Sequence, residues 1–202
     1  MEGFKDNKFL MFLTAVLAAV FIWSGINPHD RSVWIVEMTS VLAVFFALAF
    51  TYPKFQFSNT AYFIVSLWLI MHAVGARYTF ELVPFGCVTE LFGFERNHYD
   101  RVAHFVVGLN SFAVAEFMLR RGCVSSAKCA AFTGVLFIMA MANAWELIEW
   151  GYAQLDGGTT GAAFLGSQGD VWDAQKDMLA DTLGALCAVP LFLFQFPEIR
   201  RD

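Results

Sequence analysis

Charge is what this sequence has least of. Of its 202 residues, 15% are Asp, Glu, Lys or Arg and 58% are hydrophobic, and the mean hydropathy is +0.56. Soluble domains of this length carry about a quarter charged residues, so a water-soluble globule is a poor reading. Basic residues are scarcer than acidic ones. The formal net charge of −5 argues against nucleic acid as a partner. The four cysteines include no Cys-x-x-Cys pair, which makes a cysteine zinc site an unsuitable reading. There is no Gly-x-Ser-x-Gly, no His-Glu-x-x-His and no P-loop, so no familiar motif selects a reaction. No internal repeat is visible, unlike the repeated halves of common carriers.

What the chain has instead is long apolar runs. Crossing the hydrocarbon core as a helix takes roughly 20 mostly apolar residues. Six stretches qualify: 8–25, 32–52, 59–76, 101–119, 127–150 and 173–196. They predict an all-α integral membrane bundle of about six transmembrane helices, with residues 1–202 as one transmembrane domain. The first stretch runs on through Phe21, Ile22 and Trp23 without an Ala-x-Ala site, so it is expected to be a retained span and not a cleaved signal. Placing both termini in the cytoplasm puts Lys5, Lys8, Lys54, Arg120, Arg121, Lys128, Arg200 and Arg201 inside, against Arg31, Arg77, Arg96, Arg101 and Lys176 outside. In that topology only Cys87 faces outward, so no disulfide framework is expected.

Two connections are long, about 77–98 and 151–171, and both fall on the outer side. The first mixes Phe80, Leu82, Val83, Phe85, Leu91, Phe92 and Phe94 with Glu81, Glu90 and Glu95. That mixture suits a short amphipathic helix at the interface or folded over the bundle. The second is rich in glycine and is expected to act as a lid or to lack order.

The polar residues of the last three spans collect at that same end. Asp100 and His104 are spaced i,i+4 with Arg101 between them, and Glu146 and Glu149 are i,i+3 neighbours. Asp173, Asp177 and Asp181 form one stripe that descends about 12 Å. Alternating helix direction brings all three sets into the outer leaflet. An acid at membrane depth costs at least ~2.5–3.5 kcal/mol, which makes a shared polar site the simplest account. Capping explains Asp170 and Asp173 equally well, but not Asp177 or Asp181, one and two turns further in. Glu116, four residues before Arg120, reads as a helix-surface ion pair. His72 reads as a hydrogen-bonded core residue, and Trp145, Trp150, Trp172 and Tyr99 as interfacial anchors.

Carboxylates with an imidazole suit a divalent metal: Zn²⁺, Mn²⁺, Mg²⁺ or Ca²⁺. Such a metal activates water for attack on an ester or phosphoester. General acid–base work by a carboxyl and His104 fits as well.

The wording of several segments is that of a known family. Ile26-Asn27-Pro28-His29-Asp30-Arg31, Phe92-Gly93-Phe94, Arg96-Asn97-His98-Tyr99-Asp100-Arg101 with His104-Phe105, Glu146-Leu147-Ile148-Glu149-Trp150 and the run from Phe164 to Asp173 resemble the YjdF-like bacterial inner-membrane family. The resemblance implies a multi-span fold and supplies no reaction. A weaker likeness joins Asp100-Arg101-x-x-His104-Phe105 and the segment from Asp177 to Gly184 to VanZ-like proteins, with Asp181 where asparagine is usual. VanZ-like proteins are associated with resistance to glycopeptide antibiotics, which implies an envelope role.

The expected function is metal-assisted processing of an envelope lipid or headgroup at the outer leaflet of a bacterial inner membrane. His104, Asp177 and Glu146 are its candidate catalytic residues. Arg101, His98 and Gln168 are candidates for substrate binding. Asp100, His104, Glu146, Glu149, Asp173 and Asp177 are candidate metal ligands. Membrane lipids are the expected partners, nucleic acid is not, and the sequence identifies no particular protein partner, leaving that question open. A non-catalytic lipid-binding or scaffold protein and a proton- or cation-coupled transporter remain as alternatives.

Overall fold

A computed structural model of the chain describes residues 3–156, 158, 161 and 164–197. Among the described residues every regular element is helical. Three helix starts are set by local polar side chains. Asn7 accepts from Leu10 N–H to begin α1 (Lys8–Gly25), and Asp30 accepts from Ser32 and Val33 N–H to begin α2 (Arg31–Thr51). Ser58 accepts from Ala61 N–H at the head of α3 (Asn59–Tyr78). The others are α4 (Gly86–Phe92), α5 (Tyr99–Gly108), α6 (Ser111–Arg120), α7 (Ala127–Asp156) and α8 (Asp173–Gln195).

Six segments are long and apolar enough to cross a membrane, with α5 and α6 together making the fourth, Tyr99–Arg120. That span is broken where the i→i−4 ladder gives way to i→i−3 bonds from Asn110 to Val107 and from Phe112 to Leu109. The Asn110 side-chain amide also donates to the carbonyls of Val106 and Val107. The fifth span continues past residue 150 to Asp156, so the second long connection is shorter than the sequence implies. Of that connection, residues 157, 159, 160, 162 and 163 lie outside the described residues, and so do the basic Arg200 and Arg201.

α3 is the hub. Its apolar window is 56% buried, against 22% for α1 and for α2, which lie along it and face lipid on their far sides. Small residues bring the other helices together. A Cβ on Gly108 would stand 2.1 Å from the carbonyl oxygen of Asp181, and one on Gly184 would stand 2.0 Å from that of Phe105. Only glycine at both positions lets α5 and α8 cross backbone to backbone. Asn7 bonds Asn59, and Thr60 bonds Gln195, so the start of α1 and the end of α8 both lie beside the start of α3. We call this the terminal end and the opposite one the acidic end.

Two features depart from or refine the sequence reading. Glu116 is not on the surface: it is fully buried, accepting from Ser58 N–H at 2.7 Å, Ser58 Oγ at 2.7 Å and the Arg120 guanidinium. Its i,i+4 partner is real, but the groups that bury it come from the α2–α3 turn. α4 buries none of its residues and presents Leu91 and Phe92 outward, which is the interfacial form of the expected amphipathic helix. All four cysteines are free and exposed.

Candidate functional site

The α5–α8 crossing lays Asp100 and His104 against the acidic stripe of α8. Asp173, Asp177 and Asp181 are all buried, as the 3.6-residue period of one helix face requires. The site has two levels. In the deeper one, His104 Nδ1 lies 2.9 Å from Asp181 Oδ2, and its Nε2 lies 3.7 Å from Asp100 Oδ1. One ligand atom each from Asp100, His104 and Asp177 falls within 4.8 Å of the other two. Asp181 Oδ1 is buried with no hydrogen-bonding partner among the described residues, and so is Glu146 Oε1. Glu146 interacts electrostatically with His104, Asp177, Asp100 and Asp173.

The shallower level is an ion network. Arg101 reaches Asp177 through Nε at 3.2 Å, and Asp173 and Asp170 through Nη2 at 2.6 and 2.9 Å. Arg96 meets the same two acids from the first long connection, at 2.6 Å to Asp173 and 3.4 Å to Asp170, and donates to the Ser167 carbonyl. Lys176 closes on Asp170 at 2.6 Å. Lys176 and Arg101, together with the Trp172 N–H, hold the Asp170 carboxyl well below the usual carboxylate range. Burial, then the charges of Arg101, Arg96 and Lys176, hold the His98 imidazole below its ordinary value.

Capping does not account for these acids. The N-cap of α8 is Trp172, which makes no side-chain cap bond, and Asp173 spends its carboxylate on two arginines. Asp170 does accept from Trp172 N–H, but its other oxygen serves three cations.

The two long connections are clasped together over the network. Gln168 donates to the Asn97 carbonyl and accepts from the Asn97 N–H, both at 3.0 Å, and Asn97 donates to the carbonyls of Glu81 and Val83. Both ends of the Gln168 amide are therefore committed to the fold. His98 precedes α5 at its N-cap position, without a side-chain cap bond, and packs on Phe94, their ring centroids 4.4 Å apart. Glu149 accepts from Trp145 Nε1 at 2.6 Å and, like Glu146 and Asp173, stands outside the trio. Phe164 covers Trp145, whose ring packs edgewise on His72.

Two contributors, Arg96 and Asp170, were missing from the sequence-derived set, and a third, Asp181, was placed without its partner. Arg96 sits in a connection where arginine is unremarkable, 74 and 77 residues from its partners. Asp170 was assigned to capping, and the stripe placed Asp181 at the site's floor without revealing its bond to His104. Glu37 forms a separate buried pair with His72 at 2.8 Å, which bears out His72 as a hydrogen-bonded core residue.

Residues 9–198 match the model of a family described as predicted membrane protein (DUF2238). The chain belongs to the DUF2238 family. It is also 39% identical over 182 residues to the inner membrane protein YjdF of Escherichia coli (strain K12), covering 89% of this chain and 86% of that one. No solved structure matches it. This DUF2238 member is thus a multi-pass inner membrane protein in contact with lipid. Both matches concern that family; the VanZ-like likeness rests on its two helix motifs alone.

Proposed function

We propose that the acid/histidine site opens to the outer leaflet, holds a divalent cation on Asp100, His104 and Asp177, and serves the processing of an envelope lipid headgroup. The observation that supports this best is the approach of those three ligand atoms to within 4.8 Å at membrane depth. Such groups side by side in a low-dielectric interior call for a compensating positive charge. Asp181 strengthens the reading. Accepting the Nδ1 proton of His104 leaves the lone pair of Nε2 facing Asp100, the arrangement in which a carboxylate partner orients a metal-binding histidine. Oxygen and imidazole donors together suit Zn²⁺ or Mn²⁺, and an oxygen-dominated shell suits Mg²⁺ or Ca²⁺.

A cation held there supplies Lewis-acid activation of water or of a phosphoester oxygen. Glu146, whose buried Oε1 has no hydrogen-bonding partner among the described residues, is the group to take or give a proton. Arg101 divides its guanidinium among three carboxylates, so its part is to hold the acids in position. His98 stands at the rim to meet a headgroup phosphate, beside the half-exposed Lys176, which pairs with Asp170. Metal analysis by plasma mass spectrometry on detergent-purified protein tests this. Stoichiometric metal in the parent and none in a still-folded Asp177→Asn, His104→Ala variant is the expected result. No metal in the parent after divalent ions are added back overturns it.

One observation favours a non-catalytic, lipid-binding role: Asp170 and Asp173 are fully matched by Arg96, Arg101 and Lys176, as structural acids would be. That reading predicts tolerance of single acid-to-amide changes in the trio. A transport route is less well supported. Below Asp181 the α8 sequence carries no further acid, and Gly108 and Gly184 bring the α5 and α8 backbones into contact there.

A further inference from the structure

At the terminal end, far from the acids, α1 and α2 leave a cleft between them. Both lie along α3, and they meet each other near their shared turn. There Trp34 bonds Ser24 and packs on Gly25; further along α2, Phe45 borders the cleft and its ring meets that of Phe21 edge to face at 5.7 Å. The space between the two helices measures about 390 Å³. Leu13 and Leu17 of α1 form one wall, Leu48 and Ala49 of α2 the other, and Val65 and Leu69 of α3 the floor. The few hydroxyls on the lining are partly spent within the protein: Thr14 donates to the Leu10 carbonyl, and Tyr62 accepts from Phe57 N–H.

An apolar space open to the side at bilayer depth gives water no partners, and unfilled it forfeits the dispersion contacts of its own walls. Hydrocarbon is what fits. The mouth adds a second requirement. Phe4 and Pro53 line it, and Lys5 and Lys54 follow them directly in sequence, with Lys8 on the first turn of α1. All three lysines are exposed, and none forms an ion pair with an acid among the described residues. Among the described residues Asp6 is the one acid that lies between them in sequence, against three lysines. Basic residues beside a membrane surface attract anionic lipid.

We infer that this cleft binds one anionic phospholipid of the leaflet at the terminal end, an acyl chain lying between α1 and α2 and the phosphate resting on Lys5, Lys8 and Lys54. The site is separate from the acid/histidine cluster and independent of its chemistry.

Native mass spectrometry of the full chain, released from nanodiscs of phosphatidylglycerol and phosphatidylcholine in equal amounts with identical acyl chains, tests this. A single phosphatidylglycerol adduct is expected on the parent. The Lys5→Gln, Lys8→Gln, Lys54→Gln variant changes only exposed side chains, and its retained phosphatidylglycerol falls about tenfold or more. Ala49→Trp fills the cleft from a position that is exposed on α2, and it loses both lipids while keeping the parent's melting temperature. Equal retention of the two lipids, or an adduct undiminished in either variant, overturns the inference. A lipid-free dimer that Ala49→Trp abolishes also overturns it and assigns the cleft to a second copy.

Discussion

The protein buries carboxylates at both ends, and it treats them differently. At the terminal end, Glu116 accepts from the Ser58 N–H, the Ser58 hydroxyl and Arg120, and it ties the α2–α3 turn to α6. At the acidic end, Asp181 and Glu146 each keep a buried oxygen without a partner among the described residues, and Asp100, Asp177 and His104 crowd together. One arrangement is complete and the other is left open. A buried acid that serves only the fold is expected to be fully satisfied, because each missing hydrogen bond costs stability. Acids kept short of partners are expected where a ligand completes them.

The largest effect should come from breaking the complete site. Glu116→Ala strands the Ser58 donors and the Arg120 charge, and should cost about 3–5 kcal/mol, seen as a collapse of thermal stability in detergent. Next, Gly184→Leu forces α8 off α5 and should cost about 3 kcal/mol. It should also dismantle the trio while leaving the Glu116 staple in place, so metal retention and Ser58-region hydrogen exchange should separate. Asp177→Asn sharpens the contrast from the other side. Stability should change by less than about 1 kcal/mol, because the change removes a crowded charge and keeps an acceptor for Arg101, while bound metal is lost. Asp181→Asn should weaken metal binding by a smaller factor, about 10–100-fold, since it acts through the orientation of His104.

The smallest effect is a dependence on pH. The Asp170 carboxyl is held below its ordinary value, so its contribution is complete above about pH 4 and fades as pH falls below the ordinary Asp value of 3.8. The melting difference between parent and Asp170→Asn should therefore be present at pH 6 and shrink toward pH 3.

Span number and helix face were legible because both depend on local pattern. Apolar length gave six crossings whose limits agree with the helices within a few residues, except that α7 runs on to Asp156. The period of α8 placed Asp173, Asp177 and Asp181 on one buried face. Partners distant in sequence were not legible. Glu116 and Arg120 are spaced like a surface pair, and nothing local announces Ser58, 58 residues away, as the partner that buries Glu116. Arg96 joins Asp173 across 77 residues, and Glu37 joins His72 across 35. The break at Asn110 was hidden for another reason: an asparagine in an apolar span shows neither whether it bends the helix nor which carbonyls it covers.

The distance between Arg96, Arg101 and the acids of α8 also bears on how the chain is made. The arginines precede the fourth span or open it, while Asp173, Asp177 and Asp181 belong to the last. During synthesis the counter-charges are laid down first, and the segment that needs them emerges at the end. Three carboxylates make α8 the hardest segment to commit to the bilayer unaided. Its insertion is therefore a late, assisted event, completed by positive charges already in place, and loss of both arginines would show as a last helix that fails to integrate.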